Sequence, residues 1–144
     1  MPLITVELMA GTTVEHRKAI SDGIHEAMIE ILGIPEDDRF HVFHELSEGS
    51  MLHEPVVFGI PRTTGRMLFI TLSFNERRPE QKKALFDALV RRLNERADVR
   101  SDELLLRVIE TARENWWGEG RVVNPETGYD ERMDVATSQG SLER

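Results

Sequence analysis

Apolar and polar residues alternate from Leu3 to Leu8, with Ile4, Val6 and Leu8 on one side and Thr5 and Glu7 on the other. A period of two predicts a half-buried strand. After Thr12-Thr-Val-Glu15, which has the spacing of a capping box, the period lengthens. Ile20, Ile24, Ala27, Met28 and Ile31 then recur on one face of a helix that ends near Gly33. Ile34-Pro-Glu-Asp-Asp-Arg39 is a turn by composition, because Pro35 resists helix continuation and the acids favour loop hydrogen bonds. Phe40 to Glu45 reads as a second strand.

Shifted by 65 positions, the chain repeats this order without a gap. Leu68 falls on Leu3, Glu80 on Glu15, Lys83 on Lys18, Ala84 on Ala19, Asp87 on Asp22, Asp102 on Asp37 and Glu110 on Glu45. Apolar positions match as well: Ile20 with Leu85, Ile24 with Leu89, Met28 with Leu93 and Phe40 with Leu105. The pattern predicts a duplicated β-α-β unit over about residues 2–46 and 67–111, with Pro79 in the first turn of the second helix. Residues 47–66, rich in Gly and Pro, form a connector with one short strand expected at Val56–Ile60. Residues 1–117 then make up the fused repeats. Residues 118–144, rich in Gly, Asn, Glu and Ser, read as a C-terminal arm whose end, about Ser138 to Arg144, is expected to be disordered.

Right-handed crossovers would place the four strands in one sheet with both helices on one face, an α+β fold. The other face would lie open, yet the strands Leu68–Phe74 and Leu104–Ile109 are apolar on both sides. That mismatch predicts burial by further copies, as in a ring with the sheets turned inward.

Composition narrows the chemistry. The 144 residues are 40% hydrophobic and 31% charged and include no cysteine, which excludes a disulfide framework, a thiolate metal site and a cysteine nucleophile. A net charge of −8 with no long Lys/Arg cluster makes nucleic acid a poor partner. No apolar run approaches the ~20 residues of a membrane span. The first residues lack the basic start and apolar stretch of a secretory signal, so a cytoplasmic protein is expected. Five histidines invite a metal reading, but His16 and His25 point about 180° apart around one helix. His41 and His44 fall on opposite faces of a strand.

Four segments, Pro2-Leu-Ile-Thr, Gly33-Ile-Pro-Glu-Asp-Asp-Arg-Phe40, Asn75-Glu-Arg-Arg-Pro-Glu-Gln-Lys82 and Glu114-Asn-Trp-Trp117, together with the duplication, resemble the tautomerase superfamily. Among its fused-repeat members the chain is similar to the malonate semialdehyde decarboxylase-like group. The resemblance implies a homotrimer, no cofactor, removal of Met1, and Pro2 as an N-terminal secondary amine that does the catalysis. Met67 stands at the equivalent position of the second repeat, so that half should be silent.

The resemblance also assigns the remaining candidates. Arg77 would grip a substrate carboxylate through two parallel hydrogen bonds, with a solvated helix-start charge as the plainer alternative. Decarboxylase members carry a second arginine where this chain has Asn75, an amide that can bind a carbonyl oxygen without neutralising an anion. Asp38 matches an acid that orients a water near the proline; equally, it could be a turn acid paired with Arg39. Arg39 is itself a candidate second cation. Trp116 is the choice over Trp117 for an aromatic pocket wall. The dehalogenase branch would need a histidine near position 29, and this chain has Ile29.

The function expected is keto–enol isomerisation of a small 2-keto acid or 2-hydroxydienoate with Pro2 as general base. The alternatives are a decarboxylase or hydratase with a cationic proline, and a non-catalytic trimeric binding module.

Overall fold

The computed structural model describes residues 2–62, 64–118 and 121–122. Strand β1 (Leu3–Met9) leads into helix α1 (Val14–Leu32) and strand β2 (His41–Leu46). A small hairpin follows, β3 (Val56–Val57) with β4 (Ile60–Pro61), and the pattern then returns as β5 (Leu68–Phe74), α2 (Pro79–Ala97) and β6 (Leu104–Glu110). The short strands β7 (Trp117–Gly118) and β8 (Arg121–Val122) pair antiparallel after it.

The main sheet has the order β2-β1-β5-β6. Each unit pairs its own strands in parallel, Ile4 with His41 and Leu68 with Leu104, as a β-α-β crossover demands. The two units meet antiparallel through β1 and β5, with Leu3 opposite Ser73. This is the expected α+β fold of two β-α-β units, with both helices packed on one face of a four-stranded sheet.

Between helices and sheet lies the core: Ile4, Val6 and Leu8 of β1, Ile70, Leu72 and Phe74 of β5, Ile20, Ile24 and Met28 of α1, and Leu85, Leu89 and Leu93 of α2. All the predicted stripe residues of α1 are buried except Ile31, which is half-buried. The helices touch closely at Gly23, where an added Cβ would lie 3.3 Å from the Arg92 carbonyl oxygen. Glu26 and Glu30 of α1 bind Arg91, Arg92 and Arg96 of α2 along the outer side of this contact. The opposite sheet face presents Leu3, Thr5, Phe69, Leu105 and Ile109, with the Arg107 guanidinium 5.0 Å from the centre of the Phe69 ring.

Three local expectations shift. The cap of α1 is Thr13, whose hydroxyl accepts from the His16 N–H, while Thr12 donates instead to the Met9 carbonyl. The second strand runs one residue later than Phe40–Glu45. The connector forms a two-stranded hairpin where a single strand was expected, turning at Phe58-Gly59 with φ of 55° and 71°. Both values are left-handed, the backbone of a type I′ turn. Arg62, 7% exposed, ties the connector to the sheet by donating to the carbonyls of Asp102 (2.7 Å) and Leu104 (3.0 Å). The expected disordered end, Ser138–Arg144, lies outside the described residues.

Candidate active site

Four segments converge at one end of the main sheet. β1 and β2 begin there, whereas β5 runs antiparallel to β1 and ends there together with β6. The Ile4 N–H donates to the Phe40 carbonyl at 3.0 Å, which draws the 35–40 turn to this end. The Thr111 N–H donates to the Phe74 carbonyl at 2.8 Å and brings in the segment after β6. Pro2, Asp38, Arg39, Asn75, Arg77 and Trp116 therefore belong to segments gathered at one end of the fold.

Pro2 is buried at the start of β1. Past Ser73, which pairs with Leu3, the chain runs back alongside it to Asn75, which is 5% exposed. The Asn75 side-chain oxygen accepts the indole N–H of Trp116 at 2.9 Å. Arg77 curls over its own loop: one guanidinium nitrogen donates to the carbonyls of Asn75 and Glu76, each at 3.0 Å, and the cation lies 5.8 Å from the centre of the Phe74 ring. Its backbone N–H donates to the Glu110 carboxylate at 2.7 Å. Lys82, at 2.8 Å from the same carboxylate, and this backbone donor hold Glu110 below the usual carboxylate range.

Asp38 is half-buried in the turn, with its backbone N–H bonded to the Pro35 carbonyl at 3.1 Å. Burial pushes its carboxyl above the ordinary range, against the opposing pull of the amino-terminal charge. Arg39 is drawn away to α1, where it pairs with Asp22 at 2.7 Å and lowers that carboxyl. Trp117 is 72% exposed and Trp116 half-buried, so the indole that turns inward is Trp116. Beside this cluster an open groove of about 910 Å³ is lined by Arg77, Arg78, Gln81, Glu110, Arg113 and Glu114. Of the six sequence candidates, Arg77 alone lines it.

Behind the Asp38 turn lies a polar group whose histidines are spaced wrongly for a metal in the sequence. His25, 3% exposed, bonds the Glu36 carbonyl at 2.7 Å, and because a carbonyl only accepts, that ring nitrogen (Nε2) carries the proton. Its ring meets His41 edge-on at 6.1 Å, and His41 in turn bonds the Ser21 hydroxyl at 2.7 Å. Burial, then the charges of Arg39 and His25, lower the His41 pKa to about 4. The available signal was spacing: Ser21, His25 and Met28 stand at i, i+4 and i+7, on one helical face. Among the described residues, no three His, Asp or Glu side chains are grouped as metal ligands.

A family model described as "Tautomerase enzyme" matches residues 38–117, more than half of the chain, and a second with the same description matches residues 2–60. The chain belongs to the tautomerase family. Probable tautomerase YusQ of Bacillus subtilis (strain 168) is 28% identical over 123 residues, covering 84% of this tautomerase and 96% of that protein. The crystal structure of malonate semialdehyde decarboxylase, an enzyme with decarboxylase and hydratase activities, is similar with a TM-score of 0.76 at 26% identity. The match covers 83% of this chain and 92% of that one and places the tautomerase in the malonate semialdehyde decarboxylase-like group. A fused 4-OT that forms a symmetric trimer shares the fold, with a TM-score of 0.68 at 16% identity over 83% of this chain and 97% of its own. No described helix is long and apolar enough to cross a membrane.

Proposed function

We propose that this tautomerase interconverts the keto and enol forms of a small 2-keto acid or a 2-hydroxydienoate without a cofactor. Once Met1 is removed, the ring nitrogen of Pro2 takes the enol hydroxyl proton and returns it to carbon, leaving the ketone. The convergence of a buried Pro2 with the Asn75–Arg77 loop carries this reading. An α-amino group titrates ordinarily near about 7.7–8.0, and loss of water around it favours the neutral base. General-base catalysis of this kind is worth roughly 10²–10⁴-fold. Arg77 holds the carboxylate, and Asn75 and Asp38 polarise the carbonyl or fix a water. Trp116 closes the pocket, and Arg39 is held out of it by its pair with Asp22.

Enolisation of phenylpyruvate and ketonisation of a 2-hydroxydienoate test the reading. Correctly processed Pro2→Ala should lose activity by about 10²-fold or more. Unchanged turnover removes the mechanism. Covalent labelling of residue 2 by a 3-halopropiolate would locate the chemistry independently.

The likeness to malonate semialdehyde decarboxylase supports a second reading, in which a cationic proline and Arg77 stabilise the enolate left by decarboxylation of a 3-oxo acid, or assist hydration. A Pro2 pKa measured by NMR separates the two: below the ordinary α-amino range for a base, above it for an acid. The open sheet face fits assembly as a homotrimer, with residues 118–144 as an arm beyond the repeats, and the protein would work in the cytoplasm. A non-catalytic trimer is the outcome if Met1 is retained.

A further inference from the structure

Trp116 does more at this site than form a wall. An indole N–H donates and cannot accept, so the Asn75 atom it meets at 2.9 Å is the amide oxygen. The two flipped forms of an asparagine are nearly equivalent in shape, and a fixed donor on one prong selects between them. With the oxygen held by Trp116, the two N–H groups of Asn75 occupy the other prong. Asn75 is 5% exposed, at the end of β5 where the chain runs back past Pro2. The backbone of the same residue is held as well, since its carbonyl accepts from Arg77 at 3.0 Å.

We infer that Trp116 is a positioning residue that locks the Asn75 amide with its N–H pair toward the substrate, so that the site reads one uncharged oxygen beside one carboxylate. The inference rests on the proton-transfer reading above and deepens it by naming the group that reads the substrate oxygen and the residue that orients it. Arg77 supplies positive charge for a carboxylate, with Arg78 and Arg113 lining the same groove, and an amide N–H pair stabilises a keto or enol oxygen where charge develops. A carboxylate placed against Asn75 would meet a neutral donor that cannot balance it. The group read at Asn75 is therefore the uncharged oxygen of a 2-oxo acid or its enol.

Three variants and one spectroscopic measurement decide it. Asn75→Ala removes the donor and should lower kcat by about 10²-fold. Trp116→Phe keeps an aromatic ring, frees the flip and should lower kcat by about two- to tenfold, the worth of one hydrogen bond, with KM little moved. In the double variant the Trp116→Phe loss should vanish, because its effect passes through the Asn75 amide. Equal losses in both backgrounds make Trp116 a wall only and overturn the proposal. In 15N-labelled protein, indole exchange of Trp116 should be protected and should quicken in Asn75→Ala, with the 72%-exposed Trp117 as the unprotected reference. An exchange rate unaffected by Asn75→Ala overturns the contact itself. A wild type inert toward both assay substrates, or a fully active Pro2→Ala, sinks the proton-transfer reading instead, and the exchange measurement still decides the lock.

Discussion

His41 makes the stability of this fold acid-sensitive in a window set by the structure. In the unfolded chain a histidine titrates near its ordinary 6.5, whereas in the fold burial and neighbouring cations hold His41 at about 4. Below pH 6.5 the unfolded chain takes up a proton that the native ring refuses. The His41 contribution is thus intact above pH 6.5, falls as pH drops, and is lost below about 4. The gap between the two values, at ~1.36 kcal/mol per pH unit, gives a total of roughly 3 kcal/mol, of which about 2 kcal/mol is lost by pH 5. Asp22, Glu30 and Glu110, all lowered, lose their contributions only at more acid pH. Asp38, raised, acts in the opposite sense and favours the fold as it takes up its proton. Urea unfolding at pH 7 and pH 5, on wild type and on His41→Gln, isolates the effect. Gln can still bond Ser21 and does not titrate. The wild-type midpoint should fall by roughly 1 M more than that of the variant. Parallel pH dependence in the two proteins would refute the argument.

The same contacts support three further expectations. Arg77→Ala should raise KM for a 2-keto acid at least tenfold, and Arg77→Lys should recover only part of it, because an ammonium lacks the planar pair of donors; steady-state kinetics on both variants checks this. Gly23→Val should destabilise the fold by about 1–3 kcal/mol in a urea titration, since its side chain is driven into the Arg92 backbone at the α1–α2 contact. His25→Ala removes the anchor on the Glu36 carbonyl and should cost about 1–3 kcal/mol. Hydrogen exchange at the Asp38 N–H, which is bonded to Pro35, should then quicken.

The two strand–helix–strand units were legible because each helical stripe and each alternating strand meets a single core. Ile20, Ile24 and Met28 match Leu85, Leu89 and Leu93 both in sequence and in burial. The cap moved by one residue because Thr12 and Thr13 are chemically alike, and only the path of the backbone decides which hydroxyl meets the helix. The hairpin at Phe58-Gly59 was hidden because phenylalanine is not a residue that announces a left-handed turn. At the candidate site, periodicity placed Asp38 and Arg77 on connecting segments but could not say that Arg39 turns to Asp22. The Ser21–His25–His41 group is hard to read because Ser21 and His25 share a helix face, where a polar residue passes for a solvated one, while His41 comes from the distant strand β2.

Consider the seam between β1 and β5, where the halves meet head to tail. Because the second half arrives reversed, the start of one copy faces the finish of the other, and neither copy alone owns both ends of the cluster. Pro2 and Asp38 come from the leading half, whereas Asn75, Arg77 and Trp116 come from the trailing half or just after it. Severing the chain in the connector would separate Pro2 from Asn75, Arg77 and Trp116, and would leave each fragment with half of the shared core and half of the cluster.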